Sequence, residues 1–393
     1  MTRQTMPHLV ASDVERAEPI ETDAASQAAI GMQRFGYRLL SEHPGLTDGP
    51  NGVVSSASIG TAFAMLRAGA EGETAREIDE VLGFPTSGLG AAYNFLTDRW
   101  RAGEGGKDAP ELAVANSLFV QDGFALKQPF LDALARDFGS GVRTVDFVGG
   151  AAPVIDAWVR EQTRDRIEKL FDEIPPTTRL VLANAIYLKA TWVRQFTGDA
   201  TSDGEFRRAS GGPVDVPFMH QTTYVDHTRG DDWSAVRLPY RGGELSMWLL
   251  LPDGAGDPVE LLGPTVLARA STAAAQRRVE LSVPKWDFRS DVSLTRVLPA
   301  MDMARAFTDR AEFPGISETS LRVDEVMHRA DITVDEKGTE AAAVTGIGMR
   351  VAAFPAGPEA TFAADHPFAF VVLHDATGSP LFEGVVGDPS ATR

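Results

Sequence analysis

Apolar positions recur at helical spacing through the first quarter of the chain and at strand spacing through the last. The helical pattern begins at Asp23 and predicts a helix to Leu40, with Ile30, Phe35 and Leu39 among its apolar positions. A long turn follows at Pro44 to Gly52, and Ile59, Ala62, Phe63 and Leu66 resume the helical period. Thr74 to Glu77 fits a capping box ahead of Ile78, Val81 and Leu82, and Gly83 and Pro85 end that helix. Ala91 to Arg101 predicts another helix, before a polar, Gly-rich turn at Gly103 to Pro110. Leu112 to Val120 and Leu180 to Leu188 are apolar on both parities, the pattern of strands covered on both faces. Between them, Ile155, Val159, Thr163 and Ile167 line one side of a helix predicted over Ile155 to Leu170. Strands are predicted at Ala235 to Tyr240, Leu245 to Leu251, Val279 to Val283, Phe368 to His374 and Leu381 to Val386. Arg241 to Glu244 is a hairpin turn, and Pro264 to Ala275 a helix with proline at its first position. Helices first and strands later, without βαβ alternation or a repeat, argue for an α+β fold.

Composition narrows the function more than the fold. The 393 residues contain no cysteine, which removes disulfides, thiolate metal sites and Cys nucleophiles. A net charge of −18 argues against a nucleic-acid binder. No apolar run approaches the roughly 20 residues of a membrane span. Residues 1–25 have no apolar core of an export signal and are expected to form a flexible tail ahead of a single domain at 26–393. A cytoplasmic monomer is the simple expectation; secretion is the alternative if an export signal precedes this sequence. No G-x-S-x-G, P-loop or G-x-G-x-x-G motif occurs, and Gly103 to Lys107 is followed by Asp108 rather than by Ser or Thr. None of the seven His forms H-E-x-x-H, and the carboxylates are dispersed. No cofactor and no metal site is expected.

One segment stands apart. Gly338 to Ala364 is rich in Ala and Gly and carries only Glu340, Arg350 and Glu359 as charges. It is too Gly-broken for a helix and too small-residued for a core strand. A connection of this length in a compact domain is usually functional or disordered, and disorder favours more polarity. Read as an extended strand, it sorts its side chains: Thr339, Ala341, Ala343 and Thr345 share one face and are small, while Glu340, Ala342 and Val344 share the other. No proline interrupts Thr339 to Val351, as a central strand requires.

At this loop the sequence resembles the serpins, the serine-protease-inhibitor family. The likeness runs from about Phe35 to Pro389. Asn51-Gly-Val-Val-Ser-Ser-Ala-Ser-Ile59, Met65 to Thr74, Leu182 to Trp192 with Phe196, Val216 to Met219, Leu238-Pro-Tyr240 and Val283-Pro-Lys285 carry it. His328, Asp335 to Ala343, Asp365 to Phe368 and Pro380 to Gly384 complete it. Three positions depart: Ser56 stands where proline is usual, Asp156 where asparagine is common, and Asp165 where glycine is common.

The resemblance implies three β-sheets, eight or nine helices and an exposed reactive-centre loop at about 336–360. It implies a suicide substrate rather than an enzyme. A target serine protease, or a cysteine protease, cleaves the loop and is trapped as an acyl-enzyme when the loop inserts into the large sheet. Counted from Glu336, the reactive bond falls at Ala352–Ala353, suiting elastase-like or subtilisin-like targets, with Arg350 as the alternative. The hinge is Glu336, Gly338, Thr339, Glu340, Ala341, Ala342, Ala343, Val344 and Thr345. Ser55, Ser58, Asn184 and His328 match the shutter beneath the sheet, and Trp192 the breach at its top. The alternatives are a non-inhibitory serpin acting as ligand carrier or chaperone, and a hydrolase with an unrecognised site.

Overall fold

Residues 6–43, 49–101, 110–339 and 357–392 are described by a computed structural model. Among them lie eight α-helices and two hydrogen-bonded sheets of seven and nine strands, an α+β arrangement.

The seven-stranded sheet is built around Leu180–Thr191, whose side chains are buried from Leu180 to Leu188. On one side it pairs antiparallel with Glu111–Gln121, then Val142–Val145 and the edge strand His8–Val10. On the other it pairs parallel with Glu325–Val334, from Val181 opposite Glu325 to Tyr187 opposite Asp331. Above that register the two strands part. A two-residue strand, Gly338–Thr339, fills the gap, with Thr339 opposite both Ala190 and Val334. Trp286–Ser293 closes the far edge.

Two hydrogen-bond networks stand where three sheets are expected, because one long strand serves both remaining sheets. The first part of Pro213–Arg229 pairs with Ser202–Arg207, its last residues pair with Trp233–Pro239, and Ala275–Pro284 pairs along most of its length. Leu245–Pro252 and Phe368–His374 are buried at every position, so they read as continuous apolar runs. Ser56–Arg67 packs against both sheets, and every residue from Ser56 to Leu66 is buried.

Local expectations fail where distant parts of the chain intervene. Thr74 is not a cap, because the helix already starts at Gly72. Its free amides at Glu73 and Thr74 donate to the Glu312 carboxylate, and the Thr74 hydroxyl accepts the Glu312 N–H in return. The helix predicted over Ile155 to Leu170 is Ala152–Gln162. Arg164 and Asp165 take left-handed backbone at φ 53° and 63°, yet Thr163 and Ile167 still bury beside Ile155 and Val159. Glycine is favoured there, and aspartate is among the side chains that tolerate it. Asp156 accepts the Leu170 and Phe171 N–H groups at 2.7 and 3.1 Å, a task for an acceptor alone. Ile30 lies on the exposed side of the first helix, Asp23–Glu42.

Part of the expected N-terminal tail is held against the body. Besides the strand His8–Val10, the Arg16 guanidinium donates to Asn94 and Thr97, and the Ala17 N–H donates to the Arg136 carbonyl. A three-residue strand carries too little apolar pattern to stand out from a polar terminus in the sequence.

Candidate functional site

The gap above the parallel pair is where the chain brings its unusual residues together. Asp335 to Gly338 makes a tight reversal. The Asp335 N–H donates to the Gly338 carbonyl at 2.9 Å, and the Asp335 carboxylate accepts the Lys337 and Gly338 amides. Gly338 then passes so close to the neighbouring strand that a Cβ there would lie 2.0 Å from the Ala190 carbonyl oxygen. Only glycine fits.

Thr339 follows with 1% of its surface exposed. Its hydroxyl shares a 2.6 Å hydrogen bond with the Tyr240 hydroxyl. Burial raises the Tyr240 phenol and keeps it protonated, so either hydroxyl of the pair can donate. Tyr240 stacks on Trp192, ring centroids 4.3 Å apart. The Trp192 indole N–H donates to the Asp335 carbonyl and its backbone N–H to that of Lys337. Glu336 bonds Thr201 and pairs with Lys285 at 3.0 Å. Burial works to raise the Glu336 pKa, but hydrogen bonds and the Lys285 charge outweigh it and hold the carboxylate ionised. The reversal is thus anchored on three sides, and the hydroxyl of its last residue is satisfied.

Further down the same two strands, past Ala190 on one and Val334 on the other, Asn184 and His328 anchor a second polar cluster. His328 and Asn184 stand opposite each other in the parallel register, both fully buried. The His328 Nδ1–H donates to the Asn184 side-chain oxygen Oδ1, and Nε2 accepts the Ser55 N–H at 3.1 Å. With one nitrogen donating and the other accepting, the ring is neutral; burial pushes it down to about 3. The Asn184 amide donates to the Ser58 hydroxyl at 2.7 Å, and Ser55 caps its helix by accepting the Ser58 N–H at 3.1 Å. Ser55, Ser58, Asn184 and His328 therefore form one network tying the start of a helix to the two strands that pair directly.

Asn116 belongs to that network and was not singled out from the sequence. It sits opposite Asn184 in the antiparallel register, accepts from the Ser58 hydroxyl, and donates to the Ser58 carbonyl. A signal was present: Glu111–Gln121 and Leu180–Thr191 each carry an Ala-Asn pair, Ala115-Asn116 and Ala183-Asn184, within a largely apolar stretch. Tyr240 enters the sequence reading only through Leu238-Pro-Tyr240, and nothing local ties it to Thr339.

Glu340, Ala341, Ala342, Ala343, Val344, Thr345, Arg350, Ala352 and Ala353 lie outside the described residues. The chain is described again from Gly357, and Ala360–Ala363 pairs parallel with Val279–Ser282 at the edge of the second sheet. The segment between therefore connects the interior of one sheet to the edge of the other. Among the described residues no group of His, Asp or Glu is placed to hold a metal ion, and no helix is long and apolar enough to cross a membrane.

A sheet interrupted by two residues of the chain's own connection defines a class of protein that comparisons with known proteins make specific. The family described as Serpin (serine protease inhibitor) matches residues 31–389. A serpin-like protein of Thermococcus kodakarensis is 35% identical over 91% of this chain and 85% of its own. Iripin-2 of the tick Ixodes ricinus is 34% identical over 90% and 91%. Among solved structures, native tengpin, a thermophilic serpin, superposes with a TM-score of 0.85 at 22% identity, covering 98% of this chain and all of that one. Serpin48 of the insect Tenebrio molitor gives 0.80 at 27% identity, covering 94% and 99%. The chain belongs to the serpin family, whose members are generally protease inhibitors that bind target proteases rather than catalysts.

Proposed function

We propose that this serpin is of the inhibitory kind, a suicide substrate whose cleaved reactive-centre loop enters the seven-stranded sheet. The observation that carries the reading is the seat of Gly338–Thr339 between Leu180–Thr191 and Glu325–Val334. Below it the two strands pair directly, so further entry requires them to separate from Asp331 and Tyr187 downward. The sequence next in line would suit a strand: Ala341, Ala343 and Thr345, all small, fall on the parity of Thr339, and Glu340, Ala342 and Val344 on the other.

The energetics favour such a step. Roughly a dozen inserted residues at about 0.5–1.5 kcal/mol per hydrogen bond gain about 6–18 kcal/mol. That is the order of an ordinary domain's whole stability, about 5–15 kcal/mol. The native arrangement is then preserved by a barrier rather than by its depth. In this reading Ser55, Ser58, Asn116, Asn184 and His328 form the shutter that supplies part of the barrier, and Trp192 and Tyr240 guard the entrance.

The test is incubation with a panel of serine and cysteine proteases, followed by denaturing gels and mass spectrometry. The expected result is a covalent complex with an elastase-like or subtilisin-like enzyme and a released fragment beginning at Ala353. Turnover with every protease and no covalent complex would overturn the inhibitory reading. Cleavage confined to the bond after Arg350 would move the reactive bond and leave the mechanism in place.

A further inference from the structure

Ser56 hydrogen-bonds the Glu383 carboxyl, and that carboxyl is inside the protein, with 2% of the residue exposed. Glu383 lies on Ser379–Val386, opposite Val54 on one side and Val371 on the other. Its head reaches the first helix at Gly36, where a Cβ would come within 2.2 Å of Oε1. The missing side chain of Gly36 makes the space it occupies. The Ser56 hydroxyl also lies 3.5 Å from the Pro380 carbonyl. A neutral carboxyl can therefore donate to the Ser56 oxygen, whose own O–H turns to that carbonyl. Ser56 opens the helix Ser56–Arg67, and the adjacent Ser55 N–H is the one held by His328.

Titratable groups on the elements packed around Glu383 are committed elsewhere. Tyr37 bonds Glu260, Arg38 pairs with Glu42, Arg67 with Asp79, and His374 with Glu244. Asp23 and Arg34 are exposed, and Gly52–Val54 carries no charge. Among the described residues, no cation on these elements faces the carboxyl to stabilise its ionised form.

We propose that Glu383 is a proton-operated latch on the start of the shutter helix: closure of this region takes up one proton on the carboxyl, and opening releases it to water. Burial pushes the carboxyl up to about 8, against the pull of the Ser56 hydrogen bond. Once solvated in an open form it returns to the ordinary value of about 4.3. The closed form is thus favoured in full below about 4.3, and the advantage is lost as pH rises to about 8. Across that window the opening equilibrium rises up to about tenfold per pH unit, and it levels off above.

The test compares the wild type with Glu383→Gln, which keeps size and hydrogen bonding but does not ionise. The rate at which native monomer disappears below the melting temperature is followed on native gels across this pH range. Hydrogen exchange at the Ser58 and Ile59 amides, both bonded to Ser55, is read alongside. The ratio of wild type to variant cancels intrinsic exchange and the separate, opposite dependence of His328. It is expected to climb with pH, by up to about tenfold per unit, for both readouts. Glu383→Met provides the same comparison should the Gln variant not fold. A ratio that stays constant across the range, in either readout, would overturn the latch. No protease enters the experiment, so its outcome is separate from that of the inhibitory reading.

Discussion

His328 shows how one side chain can matter through both of its ring nitrogens. Each is committed to a buried partner, so removing the ring strands the Ser55 N–H and an Asn184 oxygen at once. Leaving such a group unsatisfied costs about 1–3 kcal/mol. We expect His328→Ala to form latent or polymeric material faster on warming, seen as early loss of the native band on gels. A variant as durable as the wild type would remove His328 from the barrier. The ring also sets an acid limit. Its folded value, about 3, lies below the ordinary value of about 6.5, so stability is present above about 6.5 and is lost as pH falls toward 3. Melting curves should show the wild type losing more between about pH 7 and about pH 5 than His328→Ala does. At this scale the sequence was only partly legible. Asn184 and His328 were found through family motifs, whereas Asn116 depends on a register that no local pattern encodes. Glu383 does not stand out within the strand predicted at Leu381 to Val386, because only the packing of Gly36 and Ser56 reveals that it faces inward.

Among the elements, the two-residue strand Gly338–Thr339 is the smallest and carries the most consequence. Its glycine and its small hydroxyl side chain were legible as a hinge; that Thr339 is already seated in the sheet was not. Such seating depends on Tyr240 and Ala190, remote in sequence. Arginine at position 339 would bring an unpaired charge into a site that now holds a satisfied hydroxyl, a far larger cost. Thr339→Arg should therefore expel the hinge and block entry while the reactive bond remains cleavable. The expected behaviour is that of a substrate: cut at the same bond, no covalent complex, protease left active. Trapping at the wild-type stoichiometry would defeat the insertion mechanism. Longer elements were predicted best where their cause is local, as with Gly83, which ends its helix at φ 63°. They were predicted worst where another segment supplies the cap, as Glu312 does for Gly72–Leu82.

For the molecule as a whole, the proposed mechanism requires that the folded inhibitor be less stable than its own cleaved form. Limited proteolysis within the loop should raise the melting temperature of the wild type by far more than any point substitution does, and circular dichroism on heating measures it. The same cut in Thr339→Arg should give no such rise. An unchanged midpoint in the cleaved wild type would mean that its loop gains nothing by cleavage. The seated pair also bears on speed. In cooperative growth the costly event is the first contact, and each later one follows more easily, as in helix nucleation. Here the first rung of the new strand is in place before any protease arrives. Loop entry would then be seeded growth with no lag, and the contest with deacylation would begin at the second rung.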